Sequence, residues 1–454
     1  MTGLFCDWAL LPDGWHANVR IGIGSDGRIA EIARNSAAQE DDLRMTNGLA
    51  VPAPGNLHSH AFQRAMAGHA EIKGSGEDSF WTWRETMYGF LGKLTPDDVE
   101  AIAGQVYMEM LEAGYAAVGE FHYLHHQPDG SDYDNAAEMA QSVAAGAAAS
   151  GIGLTLLPVL YARGGVHNEE LNDRQRRFGC NIDRYARLHG EIQLPTPDSV
   201  LGVAAHSLRA VPPEMLDPLT REFGNGPVHI HIAEQTAEVE AVEAAYGARP
   251  VAWLMDNAEV DRRWCLVHAT HMLPGETEAL ARSGAVAGLC PITEGNLGDG
   301  IFDGRRFVEN GGAYGVGSDS NVRIELTEEL RVLEYSQRFK DRRRTVLRDG
   351  PGSVGEAMYR AVTAGGAQAL GRGAGTLEVG QWADITVLDA DEILPFVPGP
   401  AQWLDHWIFV AGDRAVRDVW SAGRHVVQEG KHRRRSAIAK RFRDTVAHLM
   451  EDSV

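Results

Sequence analysis

Apolar residues along the central part of the chain come in short runs, each followed by a stretch with helical spacing. The runs are GLAVPA (48–53), AAVGEF (116–121), GLTLLPVL (153–160), VLGVAAH (200–206), PVHIHI (227–232), WCLVHA (264–269), AVAGLC (285–290) and YGVGSD (314–319). Runs this short and this apolar read as strands buried on both faces. Between them lie helical patterns such as TPDDVEAIAGQVYMEMLEAG, with Thr95 or Asp97 as N-cap and Gly114 after the last turn, and AAEMAQSVAAGAAASG. Eight strand–helix units in succession predict a parallel (β/α)8 barrel of the TIM type over residues 51–374.

The two ends are patterned differently. Residues 1–50 and 375–432 alternate apolar and polar positions and are broken by turn signals such as LLPDGW and GSDGR. They predict one small β-sandwich assembled from both chain ends, with the barrel inserted between its halves. Residues 433–454 predict a basic amphipathic C-terminal helix whose charges face solvent. The long segment between strands one and two (59–95) carries Phe80, Trp81, Trp83, Tyr88 and Phe90, enough aromatic surface for a lid or wall.

Composition narrows the function. With 44% apolar and 23% charged residues, the chain has the proportions of a globular protein with a large core. A net charge of −21 disfavours nucleic acid as a partner, because phosphate contacts need a basic face. An anionic ligand would need arginines in its own pocket. Cys6, Cys180, Cys265 and Cys290 form no CxxC pair, so they are expected to be reduced core residues. The N-terminus has no basic region ahead of an apolar run, and no run reaches the ~18 residues of a membrane span. The expectation is a cytoplasmic enzyme with a small-molecule substrate.

Candidate chemistry sits at four strand ends. NLHSHAFQ places His58 and His60 on one side of an extended segment. HIHIAEQ offers His231 and Glu234; His229 lies deeper in the strand and is expected in the barrel interior. LVHATH contributes His268 and GVGSDSN contributes Asp319. Any one of these alone reads equally well as an ordinary polar residue or a helix cap. A closed barrel, however, gathers all four ends at one mouth. His58, His60, His231 and Asp319 would then give three nitrogens and one oxygen to a single cation: zinc by preference, with iron and manganese compatible. Glu234 is placed to move a proton. His268 is placed to stabilise developing charge.

These motifs together resemble the amidohydrolase superfamily across essentially the whole chain. HxH after strand one, HxxE after strand five, His after strand six and Asp after strand eight form that pattern, and GTLEVGQWADITVLD with VWSAGRHVV looks like its second domain. Two-metal members usually carry a bridging lysine or glutamate on strand four or nearby; VLGVAAHS has no lysine, which implies a single metal. NLHSHAFQRAMAG, EFHYLHH, AAHSLRAVPPE and HIHIAEQ are similar to the formiminoglutamate deiminase branch. That resemblance implies hydrolysis of a formimino group to a formyl group with release of ammonia, in histidine degradation. It implies Gln63, Arg84, Tyr123, His206 and Arg209 as substrate holders, and Asp319 as a catalytic group as well as a ligand. It also implies a homodimer. His122, His125 and His126 read as loop residues beside Tyr123, and Trp382 and Asp384 as residues of the small domain. Two alternatives stay open: a deaminase of a purine, pterin or adenosylhomocysteine-type ring, and a barrel that binds without catalysis.

Overall fold

The computed structural model describes residues 2–69, 71, 80–397 and 399–451, the side chains of residues 80, 81, 85 and 86 excepted. Four N-terminal strands come first: β1 (Thr2–Leu11), β2 (Gly14–Ile23), β3 (Ile29–Ala33) and β4 (Leu43–Pro52). The barrel strands follow. They are β5 (Gly55–Ser59), β6 (Ala117–His122), β7 (Gly153–Leu160), β8 (Val200–Leu201) with β9 (Val203–Ala205), β10 (Val228–Ile232), β11 (Trp264–His268), β12 (Val286–Leu289) and β13 (Ala313–Val316). The chain then returns to the first sheet through β14 (Ile385–Asp389), β15 (Val416–Ser421), β16 (Arg424–Gln428) and β17 (Lys431–His432).

The terminal sheet runs β17-β16-β15-β14-β4-β1-β2-β3, so β4 and β14 join the two chain ends side by side. Its own apolar core includes Leu4, Cys6, Ile21, Ile385, Val387 and Trp420. The parallel sheet runs from β13 back to β5 in the order expected of a barrel. It closes through backbone bonds between strand ends: His60 N–H to Asp319 O at 2.9 Å and Asp319 N–H to His58 O at 3.0 Å. Gly317 permits that closure, since a Cβ there would meet the His58 backbone at 2.7 Å.

The predicted strands agree with those observed, with one correction. The run 48–53 is the end of β4 and belongs to the terminal sheet; the first barrel strand is β5, just beyond Pro54. Both strands are buried on both faces here, so apolar periodicity does not separate them. Strand four is interrupted at Gly202 and split into two short pieces.

Helix Pro96–Glu112 begins at Thr95, which exchanges hydrogen bonds with Asp98 in a capping box. Helix Glu138–Ser150 ends on the left-handed Gly151. The C-terminal helix Arg435–Glu451 lies on Pro96–Glu112, with Ile438 over Gly104. Its Arg435 and Arg441 pair with Glu112 and Glu100, so part of its basic face is neutralised by a neighbouring helix rather than by solvent. The four cysteines are buried and free. No described helix is long and apolar enough to cross a membrane.

Candidate active site

The barrel mouth gathers the strand-end residues. His58 lies on β5, His60 just past it, His231 on β10 and Asp319 beyond β13. One ligand atom from each falls within 4.8 Å of the other three. Nε2 of His58 and Nε2 of His231 face each other at 3.0 Å. Asp319 Oδ1 stands 3.5 Å from His58 Nε2 and 3.3 Å from His60 Nε2. Two of the rings are anchored from behind: His60 donates from Nδ1 to Phe121 O at 2.9 Å, and His231 from Nδ1 to His206 O at 3.1 Å. That leaves the Nε2 lone pairs of both pointing inward.

Burial holds His58, His60 and His231 below the ordinary imidazole range, His58 to about 3, and so keeps the rings neutral. Burial opposes ionisation of Asp319, but hydrogen bonding from His58 and the surrounding imidazoles hold it well below the usual carboxylate range. Neutral imidazoles and a carboxylate converging on one point, with no cationic side chain between them, form a donor set suited to a divalent cation.

Beside this group stand Glu234 and His268. Glu234 Oε1 is 3.7 Å from His268 Nε2, and Asp319 Oδ2 is 3.8 Å from the same nitrogen. Burial raises the Glu234 carboxyl to about 7. Burial works against the His268 imidazolium, yet Glu234, Glu294 and Asp319 together hold it well above its ordinary value. The backbone here is unusual. Ala233, His268, Ala269, Asp319 and Asn321 all have φ between 46° and 68°, a left-handed conformation that costs on the order of 1 kcal/mol at a non-glycine residue. The strand ends are therefore bent to aim their side chains at a common centre.

A tight cavity of about 60 Å³ lies above. Gln63, Arg84, Tyr123, His206 and Arg209 all line it. Gln63 Nε2 donates to Tyr123 OH at 3.1 Å, while its Oε1 is buried without a partner. Arg84 donates from Nε to Tyr88 OH at 2.6 Å. His206 packs edge-on against Tyr161, with ring centroids 4.6 Å apart. Arg209 carries a buried Nη1 with no hydrogen-bond partner.

Several residues at the site lie outside the sequence reading. Met87, Tyr161, Phe178 and Leu297 complete the wall. Glu294 meets His268, and Asp299 joins Glu234 and His268 in a cluster of ligand-type atoms. Burial and the neighbouring Glu234 push Asp299 up to about 9. Tyr161 directly follows β7, so the strand-end rule that found the histidines would also have found it. Phe178 comes from a loop and leaves no periodic signal. Trp83 and Tyr88 belong to the wall, on helix Phe80–Leu91, whereas the side chains of Phe80 and Trp81 lie outside the described residues. His122 closes β6, His125 and His126 follow in the loop beside Tyr123, and all three are buried; His229 donates from the barrel floor to Ala369 O at 2.8 Å.

The fold and this arrangement have clear relatives. The amidohydrolase family matches residues 48–426, and the chain belongs to that family as a hydrolase acting on C–N bonds. Residues 1–46 match the N-terminal domain of formimidoylglutamate deiminase HutF. Over 456 residues the chain is 49% identical to formimidoylglutamate deiminase of Pseudomonas aeruginosa, covering 99% of this chain and all of that one. It is 24% identical to 5-methylthioadenosine/S-adenosylhomocysteine deaminase of Natronomonas pharaonis, over 94% of this chain and 93% of the relative. Among solved structures, an amidohydrolase from Brucella melitensis superposes with a TM-score of 0.94 at 47% identity, covering 99% and 100% of the two chains. An adenosine deaminase from Xanthomonas campestris with bound zinc gives 0.81 at 21% identity, covering 99% and 98%; this likeness shows the fold alone.

Proposed function

We propose that the protein hydrolyses N-formimino-L-glutamate to N-formyl-L-glutamate and ammonia, using one divalent cation per chain. The observation that carries this reading is the pairing, in one cavity, of a His58–His60–His231–Asp319 donor group with an unpartnered guanidinium nitrogen on Arg209. The 49% identity to formimidoylglutamate deiminase along the whole chain supports the substrate.

When bound by those four residues, the cation supplies Lewis acidity that brings the pKa of water from about 15.7 toward ~7. Zinc suits the donor set best, and iron or manganese would be held by the same atoms. The protein does the rest. Glu234 takes a proton from water as the oxygen adds to the formimino carbon. It then returns that proton to the terminal amidine nitrogen, so that the bond from that nitrogen to the formimino carbon breaks and ammonia leaves. The hydroxyl proton of the adduct passes to the Asp319 carboxylate as the formyl C=O forms. Asp319 orients the attacking water through its second oxygen, and His268 donates from Nε2 to the developing charge. Arg209 and Arg84, with Tyr123 and His206, take the two substrate carboxylates; bidentate guanidinium contacts overcome the long-range repulsion of a chain of charge −21. Gln63 Oε1 accepts from the formimino N–H.

An ammonia-release assay on N-formimino-L-glutamate, N-formimino-L-aspartate and guanine tests the reading. Strong preference for the glutamate compound is expected. Turnover of guanine with none of formiminoglutamate would replace it with a ring deaminase. Metal analysis after gentle purification is expected to find about one ion per chain. The same reading carries a homodimer, which sedimentation tests, and a cytoplasmic location, which cell fractionation tests.

A further inference from the structure

The His268 ring lies against His231 with centroids 5.5 Å apart and planes 18° apart. Stacking fixes the plane of a ring. It does not fix which edge faces the cavity, because a half-turn about the Cβ–Cγ bond keeps the plane and exchanges ring nitrogens for ring carbons. The decision is made at Nδ1. Glu294 is buried on the short helix Pro291–Leu297, which begins just after β12. Its Oε1 lies 3.3 Å from His268 Nδ1. The same oxygen accepts the Cys290 N–H at 2.9 Å, so the carboxylate is tied to the backbone on one side and to the imidazole on the other. With Nδ1 held there, Nε2 faces Glu234 and Asp319.

We propose that Glu294 is a positioning residue for the hydrolysis: it holds His268 with Nε2 turned toward the atom under attack. The inference rests on the hydrolytic reading of the site. Capping a short helix would require only the Cys290 bond, so the second bond, to His268, is the one that needs a functional reason. The logic is that of a carboxylate behind a working histidine, which fixes its orientation without touching the substrate.

The test uses the metal-loaded full-length chain and two variants, Glu294→Leu and Glu294→Gln. Misplacing a group by about 1 Å costs roughly hundredfold in rate, so Glu294→Leu is expected to lower kcat by about that factor. KM for formiminoglutamate and Ki for the product formylglutamate should stay within about twofold, because neither ground state uses the interaction. Glu294→Gln keeps an acceptor oxygen at Oε1 and should recover about tenfold of the loss. The proposal is overturned if Glu294→Leu keeps kcat within about threefold of the parent. It is also overturned if kcat falls while product Ki rises in step and Glu294→Gln recovers nothing, which is the signature of a structural role. A parent enzyme with no turnover of formiminoglutamate would instead overturn the hydrolytic reading, and would do so before any variant is compared.

Discussion

The two ends of the barrel handle buried charge in opposite ways. At the floor, Arg372 binds Asp384 at 2.7 and 3.0 Å and Asp198 at 3.1 Å, while Arg424 binds both Asp198 oxygens at 2.7 and 2.8 Å. Asp384 also accepts the Ala422 N–H. Two arginines meet two aspartates, and the network ties the barrel to the terminal sheet. At the mouth, three imidazoles and a carboxylate face one another with no arginine or lysine among them, beside a raised Glu234 and the unpartnered Arg209 nitrogen. A network whose donors and acceptors are matched contributes to structure. Buried groups that the protein itself leaves unmatched in a cleft are instead the candidates for binding and chemistry.

The sharpest way to separate the two ends is to remove the proton carrier. Glu234→Ala is expected to lower kcat roughly a thousandfold with little effect on thermal unfolding, since general acid–base groups contribute ~10²–10⁴. Near-normal kcat would end the proton-shuttle assignment. At the floor the converse should hold. Arg372→Leu leaves Asp384 buried without its cation and should cost about 3 kcal/mol of stability, read by denaturant unfolding, while kcat of the folded fraction is preserved. Loss of kcat with stability intact would show that the two ends are not independent.

A smaller effect tests the guanidinium that carries the unpartnered nitrogen. Arg209→Ala should raise KM about a hundredfold and change kcat far less, because a charge-assisted pair is lost in ground state and transition state alike. An equal loss in kcat would move Arg209 from substrate capture to transition-state stabilisation.

The smallest is a matter of pH. Burial opposes ionisation of Asp198, but hydrogen bonds from Arg424 and the charge of Arg372 hold it down to about 2, below the ordinary aspartate value of 3.8. A carboxyl depressed in the folded state stabilises the protein above its unfolded pKa, and that stability is lost as pH falls through the folded value. Between pH 5 and pH 2, Asp198→Asn should therefore lose less thermal stability than the parent chain. Parallel losses in the two proteins would remove Asp198 from the acid response.

Much of the fold was legible because strands buried on both faces leave continuous apolar runs, and the helices between them carry caps such as Thr95 and stops such as Gly151. The first barrel strand was not. Residues 48–59 are apolar or buried almost throughout, and only the three-dimensional path shows that β4 and β5 belong to different sheets on either side of Pro54. At the site, His58, His60, His231, His268 and Asp319 were visible as polar residues closing apolar strands. Glu294, Asp299 and Phe178 were not, because they arrive on segments after or between strands, where no period marks which side chain turns inward.

The sequence by itself determined which chemical groups stand at the strand ends, the alternation of strand and helix, and the excess of acidic over basic residues, which requires an anion to be met by arginines of its own pocket. The tertiary structure alone decided which groups meet. Closing the barrel through the His58–Asp319 backbone bonds brings residues more than 250 positions apart within hydrogen-bond distance. It also sets which of them find partners. Saturation of a buried charge depends on approach in space to within a few ångströms, and separation along the chain carries no record of that.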